Sequence, residues 1–315
     1  MTDKVFKTYR EQCRILQQRG LVIEHERFFT HKMQQDDYYN IINGYKKYFL
    51  TSTSPDHYIP DTTFEQVYAL YEFDQAIRSL FLTELLRIEK HVKSLIAYHF
   101  SAQHGYDHRQ YLSLDCFKHA SQNNIHFADI VITKLRGDII RSRRTGNAAI
   151  CHYLSAYGYV PLWVLNSVIS FGRIAHFYSC MYLAEQQAVA YHFKMPASTM
   201  DGFIYFLNDF RNACAHGNRM YTSDSQPLFR KFIPDTPIHA QLDIPRNQQG
   251  NYIAGKSDML AKLIAMRYFM GTADFRRLKN RFRKAHRRMA AIVPLEVLKQ
   301  IDTGMGLSPT ILSML

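Results

Sequence analysis

Residues 64–101 run without a proline or a glycine, "FEQVYALYEFDQAIRSLFLTELLRIEKHVKSLIAYHFS". Apolar residues recur within this stretch at Ile77, Phe81, Leu85, Ile88, Val92, Leu95 and Ile96, a three-and-four spacing that gathers them on one side of a helix. The stretch reads as one long helix, or two end to end. Nothing elsewhere in the chain alternates with period two, so an all-α protein with few strands is expected. Around this axis the sequence suggests a helix closed by Gly20, a second from about Glu24 to Gln35, and others from Phe127 to Arg144, from Pro161, and from Ile174 to Phe193. Beyond Tyr221, Pro227, Pro234, Pro237 and Pro245 forbid a continuous helix, and irregular stretches of that length tend to bind partners or carry function. The expected organisation is a helical N-terminal segment (1–60), a helical core (61–221), an irregular insertion (222–256) and a basic helical C-terminal segment (257–315), packed as one compact unit.

Charge narrows the partners. Over 315 residues, 39 Lys and Arg face 27 Asp and Glu, a net charge of +12 that favours a polyanion such as nucleic acid or an anionic membrane surface. Neither a secretory leader nor an apolar run of about 18 residues is visible, which predicts a cytoplasmic protein that does not enter a membrane. Cys13, Cys116, Cys151, Cys180 and Cys214 are odd in number and form no C-x-x-C pair, so a disulfide framework and a zinc knuckle are both disfavoured. His104 and His108 have the spacing of metal ligands, yet a polar loop is the better reading of "HGYDH". No metal and no cofactor are expected. The run 276–288 holds eight Lys or Arg; on a helix Arg276, Lys279, Arg283 and Arg287 form one strip, for which an RNA backbone is the natural counter-surface.

The segment "FLNDFRNACAHGNRMY", residues 206–221, carries the chemistry. Placed on a helix from Phe203 to Arg219, the segment puts Phe203, Phe206, Leu207, Phe210, Ala213, Cys214 and Gly217 on one face and Arg211, Asn212, Ala215, His216 and Arg219 on the other. A histidine can take the proton from a ribose 2′-OH or give one to a departing 5′-oxygen, and guanidinium groups stabilise charge gathering on phosphorus. Asn212 could hold the imidazole or a phosphate oxygen. With 23 Arg and 15 His, chance alone supplies about three Arg-to-His pairs at this range of spacings, so the bare spacing favours an ordinary polar helix face.

The longer string shifts that balance. "RNACAHGNR" resembles the R-N-x-C-A-H-x-x-R signature of the HEPN domain found in Abi-like (AbiD/AbiF) abortive-infection proteins. Further blocks resemble the same family in the same order: "TYREQCRILQQRGLVI", "YYNIINGYKKYF", "LYEFDQAIRSLFLTELLRIEKHVKSLIAY", "VPLWVLNSVISFGRI" and "GMGLSP". The resemblance implies a HEPN-type helical bundle with additional N- and C-terminal helices. It implies an antiphage toxin that cleaves RNA as a metal-independent endoribonuclease, with two motifs facing each other across a homodimer. Carried across by position, Arg211 and His216 match the R-x4-H pair, Asn212 the polar residue beside the Arg, Arg219 the trailing Arg, and Tyr221 the aromatic after it, the last two as substrate-binding residues. Gly217 departs from the family, in which a second His often follows the first; glycine there would loosen the helix and leave the placing of Arg219 open.

The remaining residues have blander readings. Arg78, Arg87 and Glu89 are expected to form ion pairs, with substrate contact the lesser reading; Trp163 and the tyrosines 38, 39, 45 and 48 to pack in the core, with stacking on RNA bases the lesser one; and Cys214 to be a small buried residue. Arg281 and His286 repeat the R-x4-H spacing without its surroundings. Two functions from different classes therefore stand side by side: an endoribonuclease acting through Arg211, Asn212 and His216, and a non-catalytic protein gripping structured RNA, whether substrate or regulatory, with the same basic surface. A protein-interaction scaffold using the polar arc as a dimer face is the third.

Overall fold

The computed structural model describes residues 5–36, 38–119, 121–221, 232–308 and 310–311. Its helices are α1 (Tyr9–Gln18), α2 (Glu26–Asp36), α3 (Phe64–His104), α4 (His108–Tyr111), α5 (Gln122–Arg144), α6 (Ala148–Ala156), α7 (Leu162–Leu165), α8 (Phe171–Cys180), α9 (Leu183–Tyr191), α10 (Ala197–Ala215), α11 (Pro237–Gln241), α12 (Met259–Phe269), α13 (Thr272–Ala290) and α14 (Leu295–Gly304). The fold is all-α. Among the described residues the sheet content is one antiparallel hairpin, β1 (Leu50–Thr53) with β2 (Asp56–Tyr58), inside what the sequence presents as a polar connection.

The long apolar stretch is a single helix. α3 opens on Thr63, whose side chain accepts from the Gln66 amide while Gln66 reaches back to Thr63, and it runs 41 residues to Gly105. That is about 60 Å of axis. α13, α10, α9, α8 and α7 all pack on it. Phe81 meets both Phe210 of α10 and Phe282 of α13, and Phe73 meets Phe282 again. Each such buried ring contributes about 1.5–3 kcal/mol. One apolar cluster extends from Cys13 to Ile311 and takes in the terminal helices as well as the central ones.

Three helices differ from the sequence reading. The run from Ile174 to Phe193 is two helices, because Met181 is extended and the Tyr182 amide is capped by the Glu185 carboxylate at 3.1 Å. α5 starts earlier than Phe127, at Ser121, whose hydroxyl accepts from the Asn124 amide. α10 stops at Ala215, four residues short of Arg219. In the insertion, residues 222–231 lie outside the described residues; beyond them Ile233, His239 and Ile244 are buried and α11 interrupts the irregular chain.

What ties these parts together is Asp74, in the first third of α3 and wholly buried. Its Oδ1 accepts from the amides of Met220 and Tyr221 at 2.8 and 2.9 Å, and its Oδ2 from the Tyr45 hydroxyl at 2.8 Å. Lys262 of α12, also buried, donates to the Met220 carbonyl at 3.1 Å. Burial raises the Asp74 pKa, against the charge of Arg78 and the donated hydrogen bonds; burial lowers that of Lys262, against the charge of Asp74. One carboxylate thus joins the Tyr45 turn, α3 and the chain leaving α10. Replacing it by alanine would strand two amides, a hydroxyl and two cations. Asp74→Ala is expected to lose about 3–5 kcal/mol, read as a lowered urea midpoint, while Asp74→Asn, which keeps an acceptor for the amides, loses less. An unchanged midpoint in Asp74→Ala would remove Asp74 from this role.

Candidate active site

The end of α10 is built by glycine. Gly217 adopts φ +75°, the Gly217 amide reaches the Cys214 carbonyl at 3.4 Å, and the Asn218 amide reaches Ala213 at 3.0 Å, the paired bonds of a Schellman turn. The helix therefore ends under His216, which is its C-cap. The chain then turns back to Asp74. Arg219 consequently does not share a helical face with Arg211, and the two-faced helix through residue 219 is corrected at this point. Instead Arg219 donates to the Gly44 carbonyl at 3.0 Å, beside the Tyr221 hydroxyl, which donates to the same oxygen at 2.6 Å.

A cleft of about 380 Å³ opens where this turn meets α3 and the segment after α2. His216, Asn218 and Arg219 line one side, and Gln75 and Arg78 of α3 line another. The third wall is a single π turn, Tyr39–Asn43, which buries Ile41 and Ile42 while Tyr39, Asn40 and Asn43 face the cleft. His216 is exposed, and its ring has no hydrogen-bond partner among the described residues.

The other predicted residues fall elsewhere. Arg211 is partly exposed; its Nε lies 3.3 Å from Glu89 Oε2, an ion pair without hydrogen-bond geometry, and its Nη1 donates to Asn212 Oδ1 at 3.3 Å. Glu89 in turn holds Lys93 at 2.8 Å. Arg211 and Asn212 are not among the residues that line the cleft, and Glu89, which holds Arg211, lines a different depression. Tyr221 is 1% exposed and fixes the turn against Tyr45 and Gly44, so it positions the site and offers no surface to a substrate. Cys214 is buried and its thiol is pushed up to about 12 by that burial, against the reactive direction.

Arg276, Lys279, Arg283 and Arg287 lie on α13, whose buried face is Phe275, Leu278, Phe282 and Met289. Arg276 and Arg287 are exposed and Lys279 and Arg283 half-exposed, and none of the four lines the cleft. His286 is held by Asp302 at 2.7 Å, which gives the second Arg-to-His pair a structural use. Trp163 departs from its core assignment: it is 52% exposed, beside Leu86 and Lys90 in a surface depression next to Glu89. His104 meets Glu185, and His108 Nδ1 accepts the Val160 amide at 3.1 Å. Among the described residues no three His, Cys, Asp or Glu side chains gather as metal ligands, and no helix is long and apolar enough to cross a membrane.

A family model described as Abi-like protein matches residues 31–222, more than half of the chain and every residue that lines the cleft. The chain belongs to the Abi-like protein family. Membership supports a function of abortive-infection type, and the match ends before α12, α13 and α14 begin. Comparison with curated proteins and with solved structures found no match.

Sequence reasoning passed over Gln75, Asn40 and Asn43 as site residues, and took Arg78 for an ion pair. The one available signal was the i, i+4 spacing of Asp74 and Arg78, which points to pairing and hides the cleft. A Cβ on Gly217 would sit 3.2 Å from Arg78 Nη1, in a backbone conformation that suits glycine. Gly217→Ala is therefore expected to lose about 1–2 kcal/mol of stability and to displace Arg78. Thermal unfolding checks this, and an unaltered melting temperature would contradict it.

Proposed function

We propose that this Abi-like protein is an antiphage toxin, a metal-independent endoribonuclease of the HEPN class that cleaves RNA in the cytoplasm as a homodimer. The observation that carries this reading is His216: an exposed imidazole at a fixed helix end, beside a cleft lined with cationic and amide side chains. In the reaction, a base removes the proton of a ribose 2′-OH and O2′ attacks the adjacent phosphorus. The P–O5′ bond breaks as an acid protonates O5′, leaving a 2′,3′-cyclic phosphate and a 5′-hydroxyl. Imidazole serves as either base or acid near neutral pH, and no metal ion is needed for either transfer.

Among the described residues that line the cleft of one chain there is one histidine. A second copy turned toward it would supply another His216, so that one ring accepts a proton while the other donates. Arg211, held against Glu89 with its guanidinium partly exposed, would face phosphate charge in such a pair, and Asn212 would hold Arg211 in place. The exposed cations of α13 give RNA a second, sequence-independent grip, and this surface also favours the rival reading of an RNA-binding protein that does not cut.

His216→Ala and Arg211→Ala are each expected to cleave RNA at least about a hundredfold more slowly and to relieve growth arrest on expression. Full cleavage by either variant would refute the site; tight, salt-dependent RNA binding by a wild-type protein that yields no fragments would favour the binding module.

A further inference from the structure

Arg78 is the most unusual charge in the molecule. Its side chain is about nine-tenths buried, yet among the described residues the one acceptor within reach is Asp74 Oδ2 at 3.4 Å, and its buried Nε has no hydrogen-bond partner there. Asp74 is meanwhile occupied by two amides and the Tyr45 hydroxyl, all at 2.9 Å or less. A guanidinium has five N–H donors, and burying one so poorly matched costs free energy unless something else accepts from it. Arg78 lines the His216 cleft, Arg219 lines it too, and no Asp or Glu is among its described lining residues. The surroundings are complementary to an anion with several acceptor oxygens. Gly217 fits the same picture, since its missing Cβ leaves room beside Arg78 Nη1.

We propose that Arg78 is a further catalytic residue of this cleft, gripping a non-bridging oxygen of the RNA phosphodiester on which His216 acts. This rests on the ribonuclease reading for the identity of the anion. The carboxylate of Asp74 orients the guanidinium, and the phosphate supplies the acceptors that the folded chain withholds. Charge growing on the non-bridging oxygens as O2′ attacks is then met by a preorganised, water-poor donor set.

The test uses full-length wild type, Arg78→Gln and Arg78→Lys, with circular dichroism and thermal unfolding to establish folding. On a labelled oligoribonucleotide, Arg78→Gln is expected to lower kcat by on the order of a hundredfold, with partial recovery in Arg78→Lys. With Rp and Sp phosphorothioates at the cleaved position, the wild type is expected to discriminate between them and Arg78→Gln to lose that discrimination. A merely structural role would leave the stereochemical preference intact. Independently of cleavage, inorganic phosphate is expected to raise the melting temperature of wild type and of His216→Ala but not of Arg78→Gln. If Arg78→Gln folds, cleaves with the wild-type rate and stereochemical preference, and is stabilised by phosphate as wild type is, the proposal is overturned. Undiminished cleavage by His216→Ala would instead overturn the assignment of His216 to the reaction, absence of any cleavage by wild type would overturn the ribonuclease reading, and in either case the phosphate result would decide the anion site alone. Should Arg78→Gln fail to fold, Arg78→Lys decides by the same preference and phosphate shift.

Discussion

Everything near the candidate site hangs on a single buried carboxylate. Asp74 receives the two amides that follow the α10 turn, the hydroxyl of Tyr45 and the charge of Arg78, while Lys262 seizes the carbonyl between those amides from the far side. A buried carboxylate is costly unless its lone pairs are filled. Here they are filled by three separate stretches of chain, so the cost is met only when all three are in place. The turn that presents His216 is therefore tied to buried groups of α3 and α12.

The same constraint explains the electrostatics of the cleft. Asp74 pairs with Arg78 at 3.4 Å but is not among the residues lining the cleft, so Arg78 is the member of the pair that fronts it. Glu89, the other acid on this part of α3, is taken up by Lys93 and Arg211. Both acids act as internal fasteners, and the surface they hold up is cationic. Family membership adds that the matched region ends with this arrangement and does not extend to the basic helix α13. The cleft thus lies within the matched region, and α13, which packs on α3, lies outside it.

Much of this was legible in the sequence, for reasons that differ by element. α3 declared itself through unbroken three-and-four periodicity without proline or glycine, which is a local property. The family, too, was legible, because its motifs occur in order along the chain. The division at Met181 was not, since a capping glutamate can end and restart a helix without glycine or proline. Arg219 was misplaced because a helical wheel assumes that the helix continues. Gly217 carried the warning, but only the bonds of the Schellman turn show that the chain reverses there. Trp163 and Tyr221 exchanged their expected places: a tryptophan in an apolar run lies at the surface, and an aromatic at a motif's edge is sealed beneath it. Burial of single aromatic residues depends on which neighbours arrive from distant sequence, and pattern alone does not hold that information.

The central claim is that His216 and its cleft cut RNA by attack of the neighbouring 2′-hydroxyl. Its most direct measurement is end-group mapping of RNA fragments produced by the purified protein with a metal chelator present. The account predicts fragments ending in 2′,3′-cyclic phosphate and beginning with 5′-hydroxyl, at an undiminished rate. Fragments with 3′-hydroxyl and 5′-phosphate ends, or cleavage abolished by the chelator, would contradict it.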